Sequence, residues 1–201
     1  MRLLLSFILV LVHLIGHAQG MDPSWARGLE NYWAAKEAQF RDPKKTPLLP
    51  QDQAHFSGLE RFPANAAYRI NARFTPSTGK AFQMPTTGSG RPQYQSIGKL
   101  QFSLGGKSLQ LTVYRNLELA GQPAYANYLF VPFTDLTNGV TTYGGGRYLD
   151  LTGPLGDRVE IDFNRAYNPL CAYGGRYSCP IPPMENHLEV EVRAGVKAFD
   201  H

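Results

Sequence analysis

The feature that most constrains this fold is a pair of alternating runs, Leu100, Phe102 and Leu104, then Leu109, Leu111 and Val113, joined through Gly105-Gly106. Apolar residues at every second position turn one face of an extended chain towards a core. Two such runs across a glycine pair read as a β-hairpin. A hairpin with one apolar face is not stable alone, so other strands must extend it. Residues 68–74 alternate in the same way, and residues 75–91 are a Gly/Ser/Thr/Pro-rich loop. Residues 125–131 are more continuously apolar and end at Pro132, as a central strand would. Residues 147–151 and 158–163 are joined by Thr-Gly-Pro-Leu-Gly-Asp as a second hairpin, and Leu188, Val190 and Val192 alternate as a last strand. No parallel crossover unit interrupts them. The expected fold is mainly β: an antiparallel sandwich or small barrel of about seven strands with one N-terminal helix.

That helix belongs to residues 19–44. Asp22 is placed to cap it and Pro23 to open it. Trp25, Leu29, Tyr32, Trp33, Lys36 and Phe40 recur at helical spacing, and Pro43 ends the run. Such an aromatic stripe must dock on something, either its own domain or a partner. Residues 45–201 then form a single β-rich domain, whose opening stretch is proline-rich and extended and carries His55 and Phe56.

The first 18 residues read as a secretory signal peptide rather than as fold. Met1-Arg2 is a short positive start, residues 3–15 are apolar except for Ser6 and His13, and Gly16-His17-Ala18 supplies small residues for cleavage. The apolar run is shorter than the roughly 20 residues that span a bilayer. No second such run follows, which implies a periplasmic or secreted protein without a membrane span once cleaved. Of the 201 residues, 183 remain, enough for one domain with a real core. Their basic residues are scattered and their net charge is small, which argues against nucleic acid. In an oxidising compartment Cys171 and Cys179 would pair, and closing so short a loop would contribute on the order of 2.5 kcal/mol.

Chemistry is confined to two segments. Residues 135–147, Asp-Leu-Thr-Asn-Gly-Val-Thr-Thr-Tyr-Gly-Gly-Gly-Arg, hold three consecutive glycines able to approach a ligand closely. Residues 159–188 break from a strand into a polar, aromatic and proline-rich excursion with both cysteines. Their ends are expected to meet at one rim of the sheet. There Arg147 would anchor a polar or anionic group of a small or glycan-like ligand, with Asp162, Asn164 and Asn168 orienting it and Tyr143, Tyr167 and Tyr173 as walls. Alternatively, Arg147 and Asp162 pair with each other as internal bracing. A hydrolase would draw on Asp162, Glu185 and His187, but no nucleophile sits in a suitable context. A structural protein would have no pocket and an exposed apolar patch around Trp25 and Trp33. No motif for a cofactor, a redox Cys-x-x-Cys or a metal closes with the right spacing.

Several irregular phrases together resemble a known family. They are FRDPKKTPLL from Phe40, HFSGLERFPANAAYRINARF from His55, TTYGGGRYLDL from Thr141 and IDFNRAYNPLCAYGGRYSCPIPPMENHLEVEVRAG from Ile161. The chain is similar across nearly its whole mature length to the bacterial family catalogued as domain of unknown function 1684. Leu170 and His187 stand where that family more often carries proline and arginine. The resemblance implies no activity, cofactor or ligand, but it implies that the GGGR and DFN segments serve one site.

Overall fold

The computed structural model describes residues 22–200; the signal-peptide reading lies outside them. Helix α1 (Pro23–Arg41) begins where expected, with the Asp22 carboxylate accepting from the Ser24 backbone. It is followed by β1 (Arg69–Pro76), β2 (Phe82–Gln83), β3 (Gln93–Leu104), β4 (Lys107–Asn116), β5 (Tyr128–Asp135), β6 (Arg147–Thr152), β7 (Arg158–Asp162) and β8 (His187–Leu188). The fold is mainly β, as the alternation implies. The β3–β4 hairpin closes at Leu104 and Lys107, with positive φ at Gly105 and Gly106, which explains the glycine pair.

The sheet runs β6-β5-β4-β3-β1-β7, with β2 against β3 and β8 parallel to β5. The expected second hairpin is therefore absent: β6 and β7 are the two edges of the path. Only residues 153–157 link them. Fully extended, such a link reaches roughly 20 Å, whereas five strand spacings in a flat sheet cover roughly 24 Å. The sheet must curl, and the result is a half-barrel with a seam between its edges. Tyr167, just past β7, bridges that seam by exchanging backbone bonds with Tyr148 of β6 at 2.9 and 3.1 Å.

Inside the curl lies the main core, built by Leu100, Phe102, Leu111, Val113, Val131, Phe133, Ile161 and Phe163 among others. The outer face of β3 to β6 is also apolar: Tyr94, Tyr114, Phe130 and Tyr148 pack with Met84 beneath the loop around β2. That second buried face makes β5 continuously apolar, as its sequence suggested.

Two strand ends differ from expectation. Pro132 does not end β5 but sits within it, opposite Tyr148. Proline has no amide for the ladder, and here β5 has already parted from β4, to which only Tyr114 and Phe130 register. The buried Asn186 side chain fills the gap: it donates to the carbonyls of Thr112 (2.9 Å) and Pro132 (2.7 Å) and accepts from the Thr112 amide (2.7 Å). The alternating residues after it form only the two-residue β8, because β5 itself ends at Asp135 and a single further bond, from the Leu136 amide to the Val190 carbonyl, follows.

Helix α1 docks on its own domain. Trp25, Leu29, Trp33 and Phe40 are buried against Leu48, Leu59, Tyr173 and Val196. Trp25 Nε1 donates to Asp162 at 2.7 Å and Trp33 Nε1 to the Asn164 carbonyl at 3.1 Å. Burying four such side chains contributes on the order of 6–12 kcal/mol before ordering costs, so packing rather than helix propensity holds this element. Among the described residues no exposed large apolar side chain adjoins the two tryptophans in sequence.

Candidate functional site

Arg147 is fully buried. It does not meet Asp162. Its Nη2 donates to Asp135 Oδ2 and to the Val192 carbonyl, both at 2.8 Å, and its Nη1 to the Ala194 carbonyl at 2.5 Å. Asp135 Oδ1 in turn accepts from the Thr137 amide and hydroxyl and from the Val192 amide. The pair brackets residues 192–196 onto the ends of β5 and β6. Every strong donor of the expected anchor but its partnerless Nε is engaged internally. The glycines before it serve the same packing: Gly146 has φ of +89°, and a Cβ there would lie 2.7 Å from the Phe133 carbonyl. Their close approach is to the chain's own backbone.

The other expected ligand residues are distributed around this bracket. Asn164 is buried and ties Asn65 to Asp162, bonding the Asn65 amide (2.9 Å) and carbonyl (3.0 Å). Asn168 donates to the Lys197 carbonyl. Tyr173 is buried, with its ring edge-on to Phe40 and Phe199. For the hydrolytic set, Glu185 accepts the Tyr114 hydroxyl at 2.6 Å, and His187 Nδ1 lies 2.9 Å from the Thr134 hydroxyl. Among the described residues no hydrogen bond or ion pair joins Asp162 to Glu185 or His187. Nor do three or more potential metal ligands cluster among them.

What the structure does bring together is the seam. Between β6 and β7, under α1, lies a cleft of about 130 Å³. Leu149, Asp150 and Leu151 form one wall, Glu160 and Asp162 the other, and Tyr32 and Arg165 the roof. Asp150 Oδ1 accepts the hydroxyls of Tyr128 (2.8 Å) and Tyr167 (2.6 Å). Burial pushes both tyrosines' pKa up, so they stay neutral donors. Lys36 stands 3.6 Å over the Tyr167 ring, its pKa lowered by burial and partly restored by Asp150. Arg69 pairs with Glu160 at 2.7 Å, and Arg165 approaches Asp162 at 3.7 Å. The cleft is thus lined by three carboxylates and one cation, Arg165, with Lys36 and Arg69 beside it on Tyr167 and Glu160. Of the residues expected at a site, Asp162 lines it and Tyr167 braces it. Asp150 and Lys36 were missed, since nothing in sequence says that β6 and β7 are opposite edges.

The cysteines are not a disulfide: both are free, Cys171 partly exposed and Cys179 buried. They are nevertheless neighbours, with the Cys171 amide donating to Cys179 Sγ at 3.2 Å. Tyr143, from the glycine loop, places its hydroxyl 3.7 Å from Cys171 Sγ. The proline-rich segment around Cys179 is already pinned without a covalent link: the Thr87 amide donates to the Cys179 carbonyl, the Cys179 amide to the Thr87 hydroxyl, and the Tyr148 hydroxyl to the Pro180 carbonyl.

A family of unknown function, DUF1684, has a model that matches residues 54–197. The chain belongs to the DUF1684 family. The solution NMR structure of an uncharacterised protein from Haloarcula marismortui is 33% identical, with a TM-score of 0.69 over 87% of this chain and 94% of that one. No curated protein matches. The family match begins after α1, so this DUF1684 chain roofs its seam with a helix from outside the matched residues.

Proposed function

We propose that this protein binds a small, neutral, hydroxyl-rich ligand, such as the end group of a glycan, in the seam cleft. The observation that carries this reading is Asp150: two tyrosine hydroxyls orient one of its oxygens, and among the described residues no donor meets the other. A preoriented carboxylate is a strong acceptor for paired hydroxyls. Matched charge around the cleft, with Lys36, Arg69 and Arg165 against Asp150, Glu160 and Asp162, disfavours a net anion or cation relative to a neutral polyol. Arg147 has no part in this reading. Catalysis by Asp162, Glu185 and His187 finds no support in their separate partners.

The cleft is smaller than the few hundred Å³ of drug-sized pockets. A ligand of about 12 heavy atoms at about 0.3 kcal/mol per atom binds with a Kd of about 2 mM. Titration with methyl glucopyranoside, followed by amide chemical shifts, is expected to perturb residues 149–151 and 160–162 and Tyr32. Asp150→Asn weakens this response, and glucuronate produces less of it. Shifts elsewhere, or none up to about 10 mM, sink the proposal.

We also infer that the protein is exported, on the strength of Arg2, the apolar run behind it and Ala18. Amino-terminal sequencing of the protein from its native cell should begin at or near Gln19. An intact Met1 refutes export by cleavage.

A further inference from the structure

We propose that Cys171 is a nucleophilic thiol and Cys179 its resolving partner, together reducing small, weakly charged disulfides. This site is separate from the seam and independent of the ligand reading above; it acts where the two free cysteines are kept reduced. Three geometric observations carry it. Exposure is asymmetric, as an attacking and a resolving thiol require: Cys171 reaches solvent, and Cys179 lies beneath it. The two are held in contact by the Cys171 amide, which donates to Cys179 Sγ at 3.2 Å. Tyr143 approaches that sulfur from a different loop, so the tertiary fold itself converges donors on it.

The electrostatics agree with the geometry. Hydrogen bonding from Cys179, helped by Tyr143 and Thr87 and opposed by burial, brings the Cys171 thiol down to about 6. The same contact pushes Cys179 up, and burial raises Tyr143 to about 12, which keeps it a proton donor at neutral pH. The exposed side chains of Leu170 and Ile181 flank the two cysteines in sequence and suit an apolar rather than a highly charged substrate.

The reaction balances without a further reagent. The Cys171 thiolate attacks a disulfide RSSR; a Cys171–SR bond forms, the S–S bond breaks, and RS⁻ leaves to take a proton from water. Cys179 then gives its proton to solvent and attacks the Cys171 sulfur. A Cys171–Cys179 bond forms and the second RS⁻ departs. The protein loses two electrons and RSSR gains them. A bond between the cysteines is then the product of one round rather than a standing cross-link, and a small thiol or dithiol reductant, giving up two electrons, restores the pair for the next.

The test uses reduced full-length protein and 4,4′-dithiodipyridine, whose thiopyridone product absorbs. Wild type is expected to release two thiopyridones per chain and keep no pyridyl adduct by mass. Cys179→Ser should release one and keep the adduct. At pH 6 the native thiol has a thiolate fraction about 100-fold above that of an ordinary cysteine. Its lower basicity offsets much of this, leaving attack about tenfold faster than on the urea-unfolded chain. Tyr143→Phe should move the midpoint of the rate profile to higher pH. In wild type alone, peptide mapping after a brief reaction should find the adduct first on Cys171. A stable single adduct, first labelling of Cys179, or a native rate no faster than the unfolded one overturns the proposal.

Discussion

Replacing Arg147 by methionine tests the reading of that residue as a bracket. Its side chain and that of Asp135 are both fully buried, at 2.8 Å from one another. Methionine fills similar space but strands the Asp135 charge and the carbonyls of Val192 and Ala194, which Arg147 alone reaches from β6. Breaking one side of a buried ion pair costs about 3–5 kcal/mol, against less than about 0.5 kcal/mol for an ordinary surface change. For a domain of this size each kcal/mol shifts Tm by about 2–4 °C, so the expected drop is about 6–20 °C. Urea melts followed by circular dichroism should show the midpoint fall with the slope unchanged. Adding Asp135→Asn removes the stranded charge while keeping an acceptor for Thr137. The double variant should therefore lose less than the sum of the two single losses. A loss below about 1 kcal/mol for Arg147→Met, or strict additivity, would refute the bracket.

Two further outcomes concern Asn186 and Cys171. Asn186→Ala removes the amide that bonds Thr112 and Pro132 across the parted strands and should cost about 2–4 kcal/mol; unchanged exchange protection of the Thr112 amide would show that the link is dispensable. For the reduced protein, Cys171 has a folded pKa of about 6, below its unfolded value near 9. Its contribution is present above pH 9 and is lost as pH falls through 6, so stability should climb between those values. The raised pKa of Cys179 acts against stability only above its unfolded value, outside that window. Cys171→Ser should flatten the climb, and an equal slope in the variant would dismiss the thiolate as its source.

Family membership was legible in irregular phrases such as YGGGRY and CPIPPMEN, and the class of fold in the alternation at Leu100 to Val113. The aromatic stripe of α1 was legible too, though not its berth. By contrast, the partner of Arg147 was not. Asp135 and Asp162 are equally good partners by chemistry, and only the return of residues 192–196 over the β5–β6 ends selects Asp135. Asn186 carried no signal at all, because a side chain that substitutes for a ladder bond is recognisable only where two strands have diverged.

Local chain physics determined the elements: capping at Asp22-Pro23 starts a helix, period-two apolar residues make strands, and paired glycines turn them. These effects act within a few residues and are written in order along the chain. Strand partnership is different. It depends on which edges come together when the sheet curls, and a hairpin signal between β6 and β7 looks the same whether they pair or close a barrel. That closure set Asp150 opposite Asp162, the docking of α1 brought Lys36 to them, and the meeting of two loops distant in sequence set Cys171 beside Tyr143. Both candidate sites are therefore tertiary, made of residues that only long-range burial brings within reach of one another.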